Sequence, residues 1–173
     1  RFPRWPFAAS TVQQLPLEGG TPRDLFKDVD SADWDRSGTR YAIVRTGKDR
    51  QPLKQPVGKV LFEATWVERS ESPRISPDGA RIAFVFLPSL TDPSGDVCVV
   101  DLAGRMLTLS KGWLEIGRFA DMGAFGGLGW SRDGNEVWFS ATQTGFRREL
   151  HAVTLSGKER LVARLPGSIV IQD

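Results

Sequence analysis

The chain holds one cysteine, Cys98, and one histidine, His151. A lone cysteine excludes an intrachain disulfide, though it leaves the compartment open, because extracytoplasmic domains without disulfides are common. One His and one Cys cannot complete a zinc site of the usual His/Cys type within the chain. No run of about 18 apolar residues occurs, so this segment is not expected to insert into a membrane. The opening "RFPRWPFAAS" has neither an initiator Met nor an apolar stretch behind a basic start. No signal peptide is expected there, and the chain reads as a piece of a longer protein. Charge of one sign is also scarce. The net charge is only +2, despite a pI near 8.9, and the basic residues are scattered singly. No nucleic-acid partner is expected on that balance.

What is present suffices for one domain with a core: 173 residues, 40% of them hydrophobic. The 18 Gly and 11 Pro point to frequent turns. One short phrase recurs: "SPRISPDGARIAF" at 72–84, "GLGWSRDGNEVWF" at 127–139 and, more loosely, "DSADWDRSGTRYAI" at 30–43. Ser-Pro-Asp-Gly is hairpin chemistry. Pro presets φ for a type I turn, Asp bonds local backbone N–H groups, and Gly takes the left-handed position. Asp78, Gly79, Asp133, Gly134 and Gly38 are therefore expected to be structural turn residues.

A strand with period-two patterning follows each turn. Ile82, Phe84 and Phe86 share one face, matched by Tyr41 and Ile43, and by Val137 and Phe139. The other face (Ala42, Ala83, Trp138) is apolar too, as in strands sandwiched between sheets. Trp34 and Trp130 align with Ile75, which makes them core or channel-facing. Farther on, "GDVCVVDLAG", "RELHAVTLSG" and "STVQQLPLEGG" each read as a strand and a tight turn, with a short strand after it. Each unit thus has four short strands, A to D. Gly38, Gly79 and Gly134 are spaced 41 and 55 residues apart. Four strands in about 40–45 residues is the period of a β-propeller blade. The longer spacing comes from an extended connection, "KGWLEIGRFADMGAFGG" at 111–127.

The expected fold is all-β: a partial β-propeller of four-stranded antiparallel blades, about three and a half of them. The expected boundaries are a half blade at 7–27, blades at 30–66, 72–110 and 127–165, and a trailing strand at 168–173.

The "SPDG…IAF…GDVCVVDLAG…LS" pattern resembles the TolB-like, WD-related propeller repeats of bacteria. Three stretches are more specifically similar to the propeller attached to Ser/Thr protein kinases of acidobacteria: "PVGKVLFEATWVERSESPRISPDGARIAFV", "VVDLAGRMLTLSKGW" and "GLGWSRDGNEVWFSATQTGFRRELHAVTLSGKERLVARLPGS". The resemblance implies a sensor or scaffold region placed after a kinase and a membrane helix, and favours an extracytoplasmic setting. It covers most of residues 12–173 and departs at "FLPSLTDPSGD" and "LEIGRFADMGAFGG", both inter-strand loops. No kinase motif lies in this chain, so no kinase residue carries over.

Catalytic motifs fare poorly. His151 falls in the strand C slot that Cys98 and Gln13 fill elsewhere, which marks a structural position for both His and Cys. "Gly129-Trp130-Ser131-Arg132-Asp133" begins like a nucleophile elbow, but it lacks the last Gly and leads into a hairpin. The Gly-rich run at 123–129 precedes a strand rather than a helix, so it is no phosphate cradle. Asp33, Asp121 and Glu115 carry no spacing that would pair two carboxylates.

The expected activity is non-catalytic binding of a protein or peptide, with no cofactor and no metal. The expected partner face is formed by the D–A and B–C connections, with Trp113, Arg118, Phe119, Asp121 and Asp92 as its candidates. Trp113, in the long connection, is expected to be the exposed tryptophan. The alternative is half of the propeller that gates a serine peptidase of the prolyl oligopeptidase type.

Overall fold

Period-two patterning punctuated by Asp-Gly turns makes antiparallel hairpins, and hairpins joined in series make meandering sheets. That is what the computed structural model contains. It describes residues 10–45, 47, 50–54, 59–65, 68–89, 91–92, 94–114, 127–145, 147–167, 169 and 171. Among these residues there is no helix.

The first sheet joins β1 (Ser10–Gln14), β2 (Arg23–Trp34), β3 (Tyr41–Arg45), β4 (Arg50–Lys54) and β5 (Val60–Thr65) in that order. The second joins β6 (Arg69–Ile75), β7 (Arg81–Leu87), β8 (Gly95–Asp101) and β9 (Met106–Trp113). The third joins β10 (Leu128–Trp130), β11 (Glu136–Ala141), β12 (Glu149–Thr154) and β13 (Glu159–Ala163). All the pairings are antiparallel. The innermost strand β6 lies in contact with both β2 and β10. The architecture is that of a partial propeller, with the three sheets as its blades.

The first sheet differs from the expected arrangement in one respect. The sequence suggests a half blade ending at 27 and a new blade beginning at 30. Instead β2 runs through both. Its first part pairs with β1, Val12 opposite Phe26 and Gln14 opposite Arg23, and its last part pairs with β3, Ala32 opposite Ile43 and Trp34 opposite Tyr41. Asp28, at φ +56°, bends the strand where it changes partners. Asp is among the residues that tolerate this left-handed conformation. The suggested trailing strand at 168–173 lies mostly outside the described residues. Of it, Ile171 brings its backbone against Gly127, where any Cβ would overlap it.

Two cores lie between sheets. Ala42, Val44, Leu53 and Leu61 of the first sheet pack on Ile82, Phe84, Cys98 and Val100 of the second. Ala83, Val85, Leu87, Val97, Val99, Leu109 and Trp113 of the second pack on Leu128, Val137, Phe139, Ala141 and Val153 of the third. β7 therefore buries alternate residues in two different cores, which explains why its sequence is apolar on both faces.

Candidate functional site

Antiparallel meanders send alternate connections to opposite ends of a sheet. The β3–β4, β5–β6, β7–β8, β9–β10 and β11–β12 connections share one face of the molecule. The Asp-Gly turns and the β8–β9 and β12–β13 turns share the other.

On the first face, Asp92 is exposed in the β7–β8 loop. Its Oδ1 accepts from the Ser94 backbone N–H at 2.8 Å, which holds the carboxyl below its usual range. Trp113 is not the exposed residue the sequence suggested. It is 3% exposed and is the last residue of β9. Its ring lies 5.0 Å from Phe139 and 4.4 Å from His151, and its Nε1–H donates to Ser110 Oγ, which in turn donates to Glu159. The strand continues past the expected end because Gly112, at φ +72°, turns the chain so that the indole enters the core. Beyond it, Leu114 and Thr142 exchange two backbone hydrogen bonds, at 2.8 and 3.1 Å, tying the β9–β10 connection to the β11–β12 one. Arg118, Phe119 and Asp121 lie outside the described residues.

His151 and Cys98 occupy equivalent registers, His151 opposite Phe139 and Cys98 opposite Phe84. Both face a blade interface. Burial lowers the His151 pKa, against the opposing influence of Glu149, whose Oε2 is 3.7 Å from Nε2. Cys98 is fully buried, its Sγ 3.6 Å from Thr108 Oγ1, and burial pushes its thiol up to about 11. A thiol so placed is not a nucleophile at neutral pH.

On the turn face the repeat has one geometry. In the second turn Asp78 Oδ1 accepts from Ser76 Oγ and from the Ala80 N–H at 2.9 Å. Gly79 stands at φ +69°. In the third turn Asp133 accepts from Ser131 Oγ at 2.6 Å and Asn135 Nδ2 at 2.8 Å, with Gly134 at φ +71°. The first turn reaches the same end with the residues exchanged. Asp35 stands where the others have Ser, and Ser37 where they have Asp. Asp35 accepts from the Thr39 and Arg40 N–H groups at 3.0 and 3.1 Å and from Arg40 Nε at 2.9 Å, with Gly38 at φ +70°. These bonds stabilise the ionised carboxylates and depress the pKa of each. The largest contributor is the Arg40 backbone for Asp35, the Ser76 hydroxyl for Asp78 and the Ser131 hydroxyl for Asp133.

Between these turns the inner strands end in a small open cavity of about 90 Å³. Trp34, Trp130, Asp33, Arg36, Ile75 and Pro77 are among its walls. Asp33 Oδ2 accepts from the Ile75 N–H at 2.8 Å, and Trp130 Nε1 donates to the Arg74 carbonyl at 2.9 Å. Those two bonds stitch β2 and β10 to β6. The repeat alignment makes Trp34 and Trp130 core or channel-facing. That they line a recess with Arg36 emerges only once the three inner strands converge.

No protein-family model and no curated protein sequence matches the chain. Solved structures do. A protein assigned as TolB from Agrobacterium tumefaciens is similar over 88% of this chain and 55% of its own, with 20% identity and a TM-score of 0.62. The β-propeller domain of the Trilobed protease from Pyrococcus furiosus, described as having an open velcro topology, is similar over 90% of this chain and 49% of its own, with 11% identity and a TM-score of 0.55. A eukaryotic initiation factor follows at 10% identity and a TM-score of 0.52, over 85% of this chain and 38% of its own. The chain spans about half the length of the first two. At these identities the likeness establishes the β-propeller fold and nothing narrower.

Proposed function

We propose that this chain is a non-catalytic binding module, part of a larger β-propeller that recognises a protein or peptide. One observation carries the reading: the groups that could do chemistry are engaged in the scaffold. Asp35, Asp78 and Asp133 bond their own turns. His151 and Cys98 lie within blade interfaces. The exposed connections of both faces remain to meet a partner, as is usual for loops carried on a rigid scaffold.

The finer reading is a sensor region of a membrane-anchored Ser/Thr kinase, and it rests on the resemblance of the three stretches quoted above. Two experiments test the proposal. The purified chain should turn over no peptide, ester or nucleotide substrate, and turnover lost on His151→Ala would overturn the non-catalytic reading. The parent gene decides the context. A kinase domain upstream supports the sensor role, whereas a G-x-S-x-G hydrolase downstream would replace it with a gating propeller.

A further inference from the structure

The rings of Trp113, Phe139 and His151 meet in a triangle whose centroid distances are 4.4, 5.0 and 5.5 Å. Trp113 comes from the second sheet and the other two from the third, so the triangle closes one blade on the next. It lies directly beneath the first face. The residue after Trp113 is Leu114, which exchanges two backbone bonds with Thr142, the residue that follows β11. Glu149, two residues before His151, is where β12 leaves the β11–β12 connection.

One member of the triangle can take up a proton near neutral pH. The His151 side chain is 12% exposed, and its Nε2 is buried with no hydrogen-bond partner among the described residues. The equivalent slot of the second sheet holds Cys98, whose thiol, pushed up to about 11, stays neutral at and below pH 7. The charged groups that act on His151 are Glu149 on its own strand, Glu159 on β13 and Arg164 just beyond β13. From β9 and β11 it meets the Trp113 and Phe139 rings. Glu159 accepts from Ser110 Oγ. Glu149 Oε2 stands 3.7 Å from Nε2, beyond hydrogen-bond range, and its Oε1 holds Arg164 Nε at 2.6 Å. A neutral imidazole fits this seat. An imidazolium there would bury a charged N–H that no acceptor reaches, a larger cost than its attraction to the indole face offsets. The nearest acceptor is Glu149. Because Arg164 anchors that carboxylate, the ring is the partner that moves.

We propose that His151 is a proton-operated latch of the first face. Neutral, it completes the triangle and keeps the Leu114–Thr142 bridge closed. Protonated, it turns its Nε2–H to Glu149 Oε2, and the bridge opens locally while the blades stay folded. The latch concerns how the first face is held, and stands whatever that face binds.

The test is NMR on the full chain, whose one histidine gives a single imidazole resonance. Its midpoint should lie below about pH 6.5, since burial is the largest influence on it. The opened state exposes the ring and binds the proton more readily, so acid favours opening. Protection factors of the Leu114 and Thr142 amides, corrected for intrinsic rates, should fall between pH 7 and pH 5. The fall should reach at most about tenfold per pH unit and level off beneath the His151 midpoint. At pH 5 their exchange should be insensitive to low urea, as for an opening that exposes little surface. His151→Phe keeps a ring without the proton, and should leave both amides equally protected at pH 7 and pH 5. Glu149→Gln should lower the midpoint further, because the carboxylate favours the charged ring. Unchanged protection of the two amides across this range would overturn the proposal, as would a fall that persists in His151→Phe. So would exchange at pH 5 that quickens with urea in step with the amides of β7 and β8, since the whole fold would then be loosening. Each of these results leaves the binding-module reading standing.

Discussion

The guanidinium of Arg40, at the end of the first turn, lies over Gly79 of the second, where an added Cβ would overlap it. Its Nη1 points to the Gly79 carbonyl at 3.4 Å, while its Nε holds Asp35 at 2.9 Å. Gly79 is therefore required twice, by its φ of +69° and by the side chain of the preceding blade.

Three substitutions separate those requirements. Gly38 has nothing within 4 Å of an added Cβ, and Gly134 would meet the Pro77 ring at an ordinary 3.5 Å or more. Alanine at either should cost about 1–2 kcal/mol for the left-handed backbone alone. Gly79→Ala should cost more, by up to about 1 kcal/mol, since the exposed arginine can swing aside. Urea unfolding of the three variants, each with and without Arg40→Ala, checks this. The excess at Gly79 should vanish when Arg40 is absent.

Trp113→Ala should destabilise the protein by about 3–5 kcal/mol, as for a large aromatic removed from a core. It is not expected to act selectively on ligand binding, because the ring is 3% exposed and faces Phe139 and His151. Trp113→Phe should recover much of the loss. Urea midpoints of both variants decide the matter, and an alanine variant of native stability would contradict the packing.

Acid should weaken the fold in two steps. His151 has a folded pKa below its ordinary value, so between the two values the unfolded chain binds more protons. Its contribution is complete above about pH 6.5 and is lost as pH falls toward the folded value. Asp35, Asp78 and Asp133 are depressed as well. Their contributions are complete above the ordinary carboxylate range and disappear at still lower pH, as each folded carboxylate takes up its proton. Melting temperature should therefore decline from pH 7 to pH 5, then more steeply below pH 4. His151→Phe should flatten the first step only, and Asp78→Asn should reduce the second.

Cys98 should resist alkylation at pH 8 in the folded protein. It is fully buried and its thiol is pushed up to about 11. Iodoacetamide labelling followed by mass spectrometry should give modification only in denaturant. Rapid labelling of the native chain would mean that the first and second sheets separate readily.

The turns were legible in the sequence because their chemistry is local: Asp and Gly at fixed positions specify both the hydrogen bonds and the sign of φ. The first turn was legible only in part, since Asp35 and Ser37 exchange roles and no single residue pattern covers both arrangements. The buried faces of β7 were legible from alternation. Trp113 was not, because Lys111-Gly112-Trp113 reads as the start of the long connection, whereas it is the end of β9. What carries the indole inward is a left-handed glycine whose N–H bonds Asp96 at 3.0 Å, a partner 16 residues away. The continuity of β2 was hidden for a similar reason, a bend at Asp28 inside a strand. The recess at Trp34 and Trp130 depends on three inner strands meeting, and no local pattern encodes that.

The sharing of β7 between two cores makes this molecule a short linear array, in which each blade is buttressed by its immediate neighbours. The second sheet is flanked on both sides. A Cβ added at Gly104, in the turn of the second sheet, would meet the Leu61 carbonyl of the first at 3.3 Å, and one added at Gly157, in the turn of the third, would meet the Leu109 carbonyl of the second at 3.5 Å. The amides of β7 and β8, covered on both sides, should therefore be among the last to exchange with solvent. A partner or further blade that covers an outer sheet would raise the protection of that sheet first, and would reach the middle of the array only through it.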